Sequence, residues 1–221
     1  MDKAEILREG RERFRQLVNS ESFRTIKVQK GDYIIRQHQD VAEVYWSTVA
    51  QFVILHTAKN GKTLSLGDYY LEDNFFGEIE FFSGNPCSFD VVATASIDLV
   101  IIPKDRLAEI LLQDGKVAFW MNYRMANMYQ QSMNIAIERS LYPLKFNIIK
   151  DIVDRYTSEA RSINHAYMYQ EAQRFGCTER AYTRIIHELI NEGLVMKGEG
   201  NSTIIPVNLA LLSDYLKKYE R

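Results

Sequence analysis

The residues best placed to do chemistry lie towards the C-terminal end, in MYQEAQRFGCTERAYTRIIHELINEGLV, where Ala172 and Gly176 stand four apart and are followed by apolar Tyr182 and Ile185. A small residue in one helix lets a second helix approach, a glycine permits a left-handed turn, and the apolar positions lock the pair together. This is the pattern of a helix-turn-helix, with Phe175 supplying the core contact at the turn. Thr178 is a good N-cap for a second helix running from Glu179 to Asn191. The early residues of that helix, Glu179, Arg180, Thr183 and Arg184, would project into a DNA major groove. There an arginine can donate twice to guanine O6 and N7, and a carboxylate can accept from cytosine N4. Arg180 and Arg184 are the leading candidates for reading bases. The solvated face of an ordinary helical hairpin would carry the same alanine and glycine, so the following residues weigh in the choice. Gly193 ends the helix, LVMK reads as a strand, GEGNS as a turn and TIIPV as a returning strand. Together they make a wing, on which Lys197, Asn201 and Ser202 fall where such wings meet the phosphate backbone.

Other reactive residues form weaker patterns. Glu78 and Glu80 lie two apart and would share one face of a strand, but a carboxylate pair needs a cleft and complementary groups. No Gly-rich phosphate loop, HExxH, GxSxG or CxxC is present, so an enzyme is not expected. Cys87 and Cys177 are too few and too far apart for a four-cysteine zinc or iron-sulfur site. His38, His56, His165 and His187 have no metal-ligand spacing, so no metal is expected. Cys87 reads as a small apolar filler, with a redox or ligand contact as the alternative, and Cys177 as structural.

The elements that must position these residues follow from periodicity. Leu7, Gly10, Phe14 and Leu17 fall at helical spacing, predicting an amphipathic helix over residues 3–18. From Phe23 to Pro103 short runs rich in Val, Ile, Tyr and Phe alternate with turn signals, which reads as an all-β unit. Asn60-Gly61 between QFVILHTA and KTLSL predicts a hairpin with a type I′ turn, positive φ at both central residues. Residues 116–138 contain neither Pro nor Gly and predict one long helix. It carries two apolar stripes: Val117, Met121, Met125, Met128 and Ile135, and Phe119, Tyr123, Ala126, Tyr129, Met133 and Ile137. One stripe packs on the helix's own domain and the second invites a partner helix, most simply its copy in a homodimer. The alternative is a helix buried all round within one subunit. Ser140 to Pro143 reads as a hinge, after which KFNIIKDIVDRY is helical again.

The chain has 221 residues, 46% of them hydrophobic, enough for one large or two small cores. The net charge of −2 argues mildly against a polyanion partner, but residues 139–221 carry +2 and the remainder −4. The N-terminal residues are charged and helix-patterned rather than leader-like, and no apolar run reaches the roughly 20 residues that span a bilayer. A cytoplasmic protein without a membrane partner is the expectation.

The order of β-rich domain, long helix and winged helix resembles the catabolite activator and fumarate-nitrate regulator family, from about Phe23 to the end. In the front half the likeness rests on KVQKGDYII, FFGEIEFFSGNPCS and DLVIIPKDRLAEIL. It implies an α+β fold: a cyclic-nucleotide-binding-like β-roll with the N-terminal helix (1–115), a dimerisation helix (116–138) and a winged helix-turn-helix domain (139–221). It also implies an effector pocket at Phe76, Gly77, Glu78, Ile79, Cys87 and Ser88, and a dimer seam at Phe119, Tyr123, Ala126, Tyr129 and Met133. In that family the FFGE residues open a short helix, the Glu holds ribose and an Arg shortly after holds phosphate. Gly77 and Glu78 match, whereas Cys87, followed by Asp90, stands in place of the Arg, and Val49 where a glycine is usual. Cyclic AMP and cyclic GMP are therefore not expected as effectors; no cofactor is indicated and the effector is unknown. Arg184 matches the recognition-helix pattern but Arg180 replaces its usual Glu, so the half-site should differ from a TGTGA-like sequence.

The resemblance implies a transcription regulator that binds a roughly palindromic double-stranded site as a homodimer, with RNA polymerase a further candidate partner. The alternative from another class is a regulatory or interaction module whose helix-turn-helix no longer binds DNA.

Overall fold

The computed structural model describes residues 2–157, 167–199 and 203–219. In chain order the elements are α1 (Lys3–Ser20), β1 (Thr25–Val28), β2 (Tyr33–Ile35), β3 (Glu43–Thr57), β4 (Thr63–Phe76), α2 (Glu78–Ser83), β5 (Asp90–Ala93), β6 (Ile97–Pro103) and α3 (Lys104–Gln113). There follow α4 (Gly115–Leu141), α5 (Leu144–Thr157), α6 (Met168–Arg174), α7 (Glu179–Asn191), β7 (Val195–Lys197), β8 (Ile204–Pro206) and α8 (Leu209–Lys217). The chain divides into two compact units, Met1–His56 with Gly67–Met133, and Thr57–Leu66 with Asn134–Arg221.

The first unit is built on a curled antiparallel sheet in the order β1-β6-β3-β5-β2, with β4 also paired to β3. β3 serves two neighbours because it is long. Its first residues pair with β6, Trp46 opposite Val100, and its later ones with β5, Phe52 opposite Ala93. Along it Ala50 and Phe52 are buried in the roll, while Val44 and Trp46, nearer its start, are buried against the helices. One cluster, including Phe52, Phe76, Val91 and Leu99, fills the roll. A second joins the sheet to α1, α3 and α4 through Phe14, Trp46, Phe75, Leu107 and Trp120. Phe14 sits at its centre, with rings of Trp46, Phe75 and Trp120 at 5.7, 5.0 and 5.6 Å.

The hairpin between β3 and β4 corrects the turn expected from Asn60-Gly61. Gly61 has φ +79° but Asn60 is not in the positive-φ region. The Gly61 amide donates to the Ala58 carbonyl and the Ala58 amide to the Lys62 carbonyl, both at 2.8 Å. The loop is thus three residues closed by a left-handed glycine, which confines the φ > 0 requirement to the one residue without a Cβ.

Asp73 on β4 is a non-glycine residue at φ +49° with a fully buried side chain. Two arginines of α1 hold it: Arg15 Nε donates at 2.7 Å, and Arg11 Nε bonds the other carboxylate oxygen. The cost of that backbone conformation, about 1–3 kcal/mol, is offset by charge-assisted bonds from a neighbouring helix.

In the second unit α5, α6, α7, α8 and the β7-β8 hairpin enclose one core, including Ile149, Ile152, Tyr182, Ile186, Leu189 and Leu212. Behind it, Glu171, 1% exposed, accepts from Arg155 (2.5 Å) and Arg174 (2.9 Å), and both arginines also pair with Asp151 at 2.8 and 2.5 Å. A buried carboxylate is tolerable only with such partners, and here they tie α5 to α6.

Among the described residues no helix is long and apolar enough to cross a membrane.

Candidate functional site

In the second unit α6 ends at a tight turn where the amides of Phe175 and Cys177 donate to the Ala172 carbonyl at 3.1 and 3.2 Å. Ala172 is buried against α7, and Gly176 takes φ +62°, the left-handed conformation the turn requires. Phe175 stacks on Tyr182 with ring centroids 5.8 Å apart. The Thr178 side chain accepts the Ala181 amide at 3.2 Å, capping α7. Tyr182, Ile185, Ile186 and Leu189 bury one side of that helix. The expected bounds, Glu179 to Asn191, are the observed ones.

The opposite face is open. Glu179, Arg180, Thr183, Arg184, His187, Glu188 and Asn191 line it, bringing four of the sequence-derived candidates together on one helix. Arg180 and Arg184 are one turn apart and exposed, and among the described residues neither has an ion pair or hydrogen-bond partner. Arg11, Arg15, Arg106, Arg155 and Arg174, by contrast, all end on carboxylates. A cation pair without internal hydrogen bonds on a rigid, capped helix can bind anions or donate to base edges without first breaking an internal bond. His187 and Asn191 were missed from the sequence; the spacing 180, 184, 187, 191 puts them on the same face. Beside α7, β7 and β8 pair antiparallel, Lys197 opposite Ile204, with the Gly198 amide donating to the Thr203 carbonyl at 2.9 Å. Lys197 is exposed at the end of this wing; Asn201 and Ser202 lie outside the described residues.

The roll of the first unit contains a cavity of about 60 Å³. Phe76, Gly77, Glu78, Ile79 and Cys87 line it, together with Phe52, Asn74, Glu80, Phe89 and Met128. Ser88 does not: its side chain is exposed, while its carbonyl accepts from His56 Nδ1 at 2.8 Å. Glu78 and Glu80 are on α2 rather than a strand, because Gly77 at φ +86° turns the chain out of β4 into a helix. A Cβ on Gly77 would lie 2.7 Å from Val41 Cγ1 and 3.2 Å from the Glu43 carbonyl, so the turn is open only to glycine. Burial, with Glu80 nearby, pushes the Glu78 carboxyl up to about 7, although its own backbone amide and Arg124 pull the other way. Burial also pushes the Cys87 thiol up to about 11, and it donates to the Phe89 carbonyl at 3.2 Å. A thiol so held is a packing group, not a nucleophile. Arg124 of α4 donates to the Glu72 carbonyl at 2.9 Å and to Asn74 Oδ1 at 3.4 Å. Sequence reading overlooked it, though it is the one charged residue between Val117 and Ile137.

On α4, Val117 and Met121 are buried, while Phe119, Tyr129, Met133, Ile135 and Ile137 are exposed, Tyr129 by 67%. Tyr123 is half-buried under Lys3, whose ammonium lies 4.6 Å from the ring, and Ala126 is exposed.

Residues 25–114 match the cyclic nucleotide-binding domain. Among solved structures, the c-di-GMP-responsive global regulator CLP of Xanthomonas campestris superposes with a TM-score of 0.73 at 13% identity, covering 88% of this chain and 98% of that one. A transcriptional regulator of the CRP/FNR family from Eubacterium rectale gives 0.71 at 18% identity, over 91% and 93%. Another from Thermus thermophilus gives 0.60 at 21%, over 88% and 98%. The chain has the CRP/FNR fold. No curated protein matches it in sequence. The α+β architecture expected from sequence, a cyclic-nucleotide-binding-like roll, a long helix and a C-terminal winged helix-turn-helix, is therefore the one observed.

A cyclic nucleotide does not fit the CRP/FNR roll as built here. Ligand pockets of that size class run to about 300 Å³ or more, against about 60 Å³ in this cavity. Its lining carries two carboxylates and no Lys, Arg or His to meet a phosphate.

Proposed function

We propose that this protein is a sequence-specific, double-stranded-DNA-binding transcription regulator that acts as a homodimer. The observation that carries the reading is the capped, exposed α7 face on which, among the described residues, Arg180 and Arg184 have no internal partner. In this reading Arg184 and Arg180 donate to base edges, Glu179 and Thr183 set base preference, and Thr178 and Lys197 meet phosphates. Asn201 and Ser202, outside the described residues, are read from the sequence as further phosphate contacts. The stripe of Phe119, Tyr123, Ala126, Tyr129 and Met133, exposed apart from the half-buried Tyr123, seats a second copy of α4, so the site should be roughly palindromic with half-sites about one helical turn apart. The protein works in the cytoplasm, and RNA polymerase is the machinery it helps or blocks. The CRP/FNR neighbours, several of them transcriptional regulators, support this reading at the level of fold.

Selection from a random double-stranded DNA pool at moderate salt tests it. Wild type should enrich a palindrome, and Arg184→Ala should lose about 1–3 kcal/mol of discrimination at the base it reads. Absence of binding to any DNA even at low salt would refute the proposal and leave an interaction module.

A further inference from the structure

The roll cavity presents an electrostatic imbalance. Glu78 and Glu80 are both buried and both line it, yet no Lys, Arg or His does. The Cys87 thiol lies beside Glu80 but donates to the Phe89 carbonyl, and among the described residues the Glu78 carboxylate is bonded only by its own backbone amide. Arg124 acts on Glu78 through its field, but its guanidinium hydrogens go to the Glu72 carbonyl and Asn74. Apart from Asn74 and the Cys87 thiol, the remaining wall is apolar and partly aromatic, with Phe52, Phe76, Phe89 and Met128. Buried carboxylates facing an apolar chamber without a hydrogen-bonding cation are costly, and a donor-rich cation would relieve that cost.

The size is also restrictive. One water needs roughly 10–15 Å³ of such volume, so about 60 Å³ admits a molecule of about four to six heavy atoms. We propose that this cavity binds a small primary alkylammonium ion, its three N–H donors shared between Glu78 and Glu80 and its alkyl chain lying against Phe52, Phe76 and Phe89. Met128 belongs to α4, so occupancy is felt directly on that helix. At pH 7 binding displaces a proton from the Glu78 carboxyl, whose pKa near 7 falls beside the ammonium charge. The proposal is independent of whether α7 binds DNA.

Titration calorimetry of the full chain with n-propylammonium chloride tests it, against sodium propionate, sodium chloride at equal ionic strength, and cyclic AMP. Saturable heat is expected with propylammonium alone, varying with the ionisation enthalpy of the buffer because a proton is released. The Glu78→Gln/Glu80→Gln double variant keeps the amide shapes and sheds buried charge, so it should fold while binding at least about tenfold more weakly. A heat indistinguishable from that of sodium chloride would overturn the proposal. So would undiminished binding by the folded double variant, or tighter saturable binding of propionate or cyclic AMP. A failed DNA selection would leave this result standing.

Discussion

Gly10 of α1 faces the carbonyl oxygen of Lys116 on α4 so closely that a Cβ added to it would lie 2.2 Å away, with Trp120 Cβ at 2.9 Å. Both close contacts come from α4's backbone and the root of a buried side chain, neither of which can swing aside. Gly10→Ala should therefore force the helices apart and destabilise the first unit by about 1–3 kcal/mol, as overpacking does. Gly115→Ala, where a Cβ meets nothing within 4 Å, is the matched control and should be close to neutral. Urea unfolding of the two variants checks the contrast.

Glu78 gives stability a pH dependence of definite sign. Folded, its carboxyl titrates at about 7; unfolded, it returns to the ordinary 4.5. Between those values the folded state holds the extra proton, so stability falls as pH rises through the window and levels off above it. The ceiling on this contribution is about 3 kcal/mol. Glu78→Gln should remove the decline, leaving the variant more stable than wild type above pH 7. Denaturation series at pH 5, 6, 7 and 8 would show it.

Removing Glu171 should be far costlier than removing a surface charge. Its carboxylate neutralises Arg155 and Arg174, both largely buried, and Asp151 cannot serve them alone. Glu171→Ala is expected to lose about 3–5 kcal/mol. The exposed pair Arg8 and Glu12, at 3.0 Å, provides the comparison: Glu12→Ala should cost under about 1 kcal/mol. Thermal unfolding distinguishes the two.

The exposed stripe of α4 predicts an oligomeric state. Tyr129→Asp with Met133→Asp places charge on a face that contributes little to the monomer's own core, so the fold should survive while a dimer dissociates. Sedimentation equilibrium at micromolar concentration reads the mass. A wild-type monomer would sink the proposed pairing, and a variant that stays dimeric would move the seam elsewhere.

The helix-turn-helix was legible in the sequence because its signals are local. Thr178, Gly176 and the spacing of Tyr182, Ile185 and Leu189 sit within a few turns of one another, and each has a single physical meaning. The interior of the roll was only half legible. Gly77 announces its turn, but Phe52, Asn74, Phe89 and Met128 reach the cavity from β3, β4, the approach to β5, and α4, whose register no local pattern encodes. The turn after Ala58 was misread for a related reason. Asn-Gly suits two loop lengths, and hydrogen bonds outside the dipeptide choose between them. Glu78 and Glu80 read as one face of a strand because spacing alone does not reveal the helix that Gly77, between them and β4, opens.

The internal pairing of Arg11, Arg15, Arg155 and Arg174 bears on how the protein would meet a polyanion. A chain with net charge −2 approaches DNA against a weak overall repulsion. Because cations such as Arg11, Arg15, Arg155 and Arg174 are locked to carboxylates, they offer the approaching phosphates little net attraction. Arg180 and Arg184 on α7 have no ion-pair partner among the described residues, although Glu179 and Glu188 share their face. Encounters led by that helix are then pulled in while others are turned away, and the orientation of the collision is selected before any base is touched.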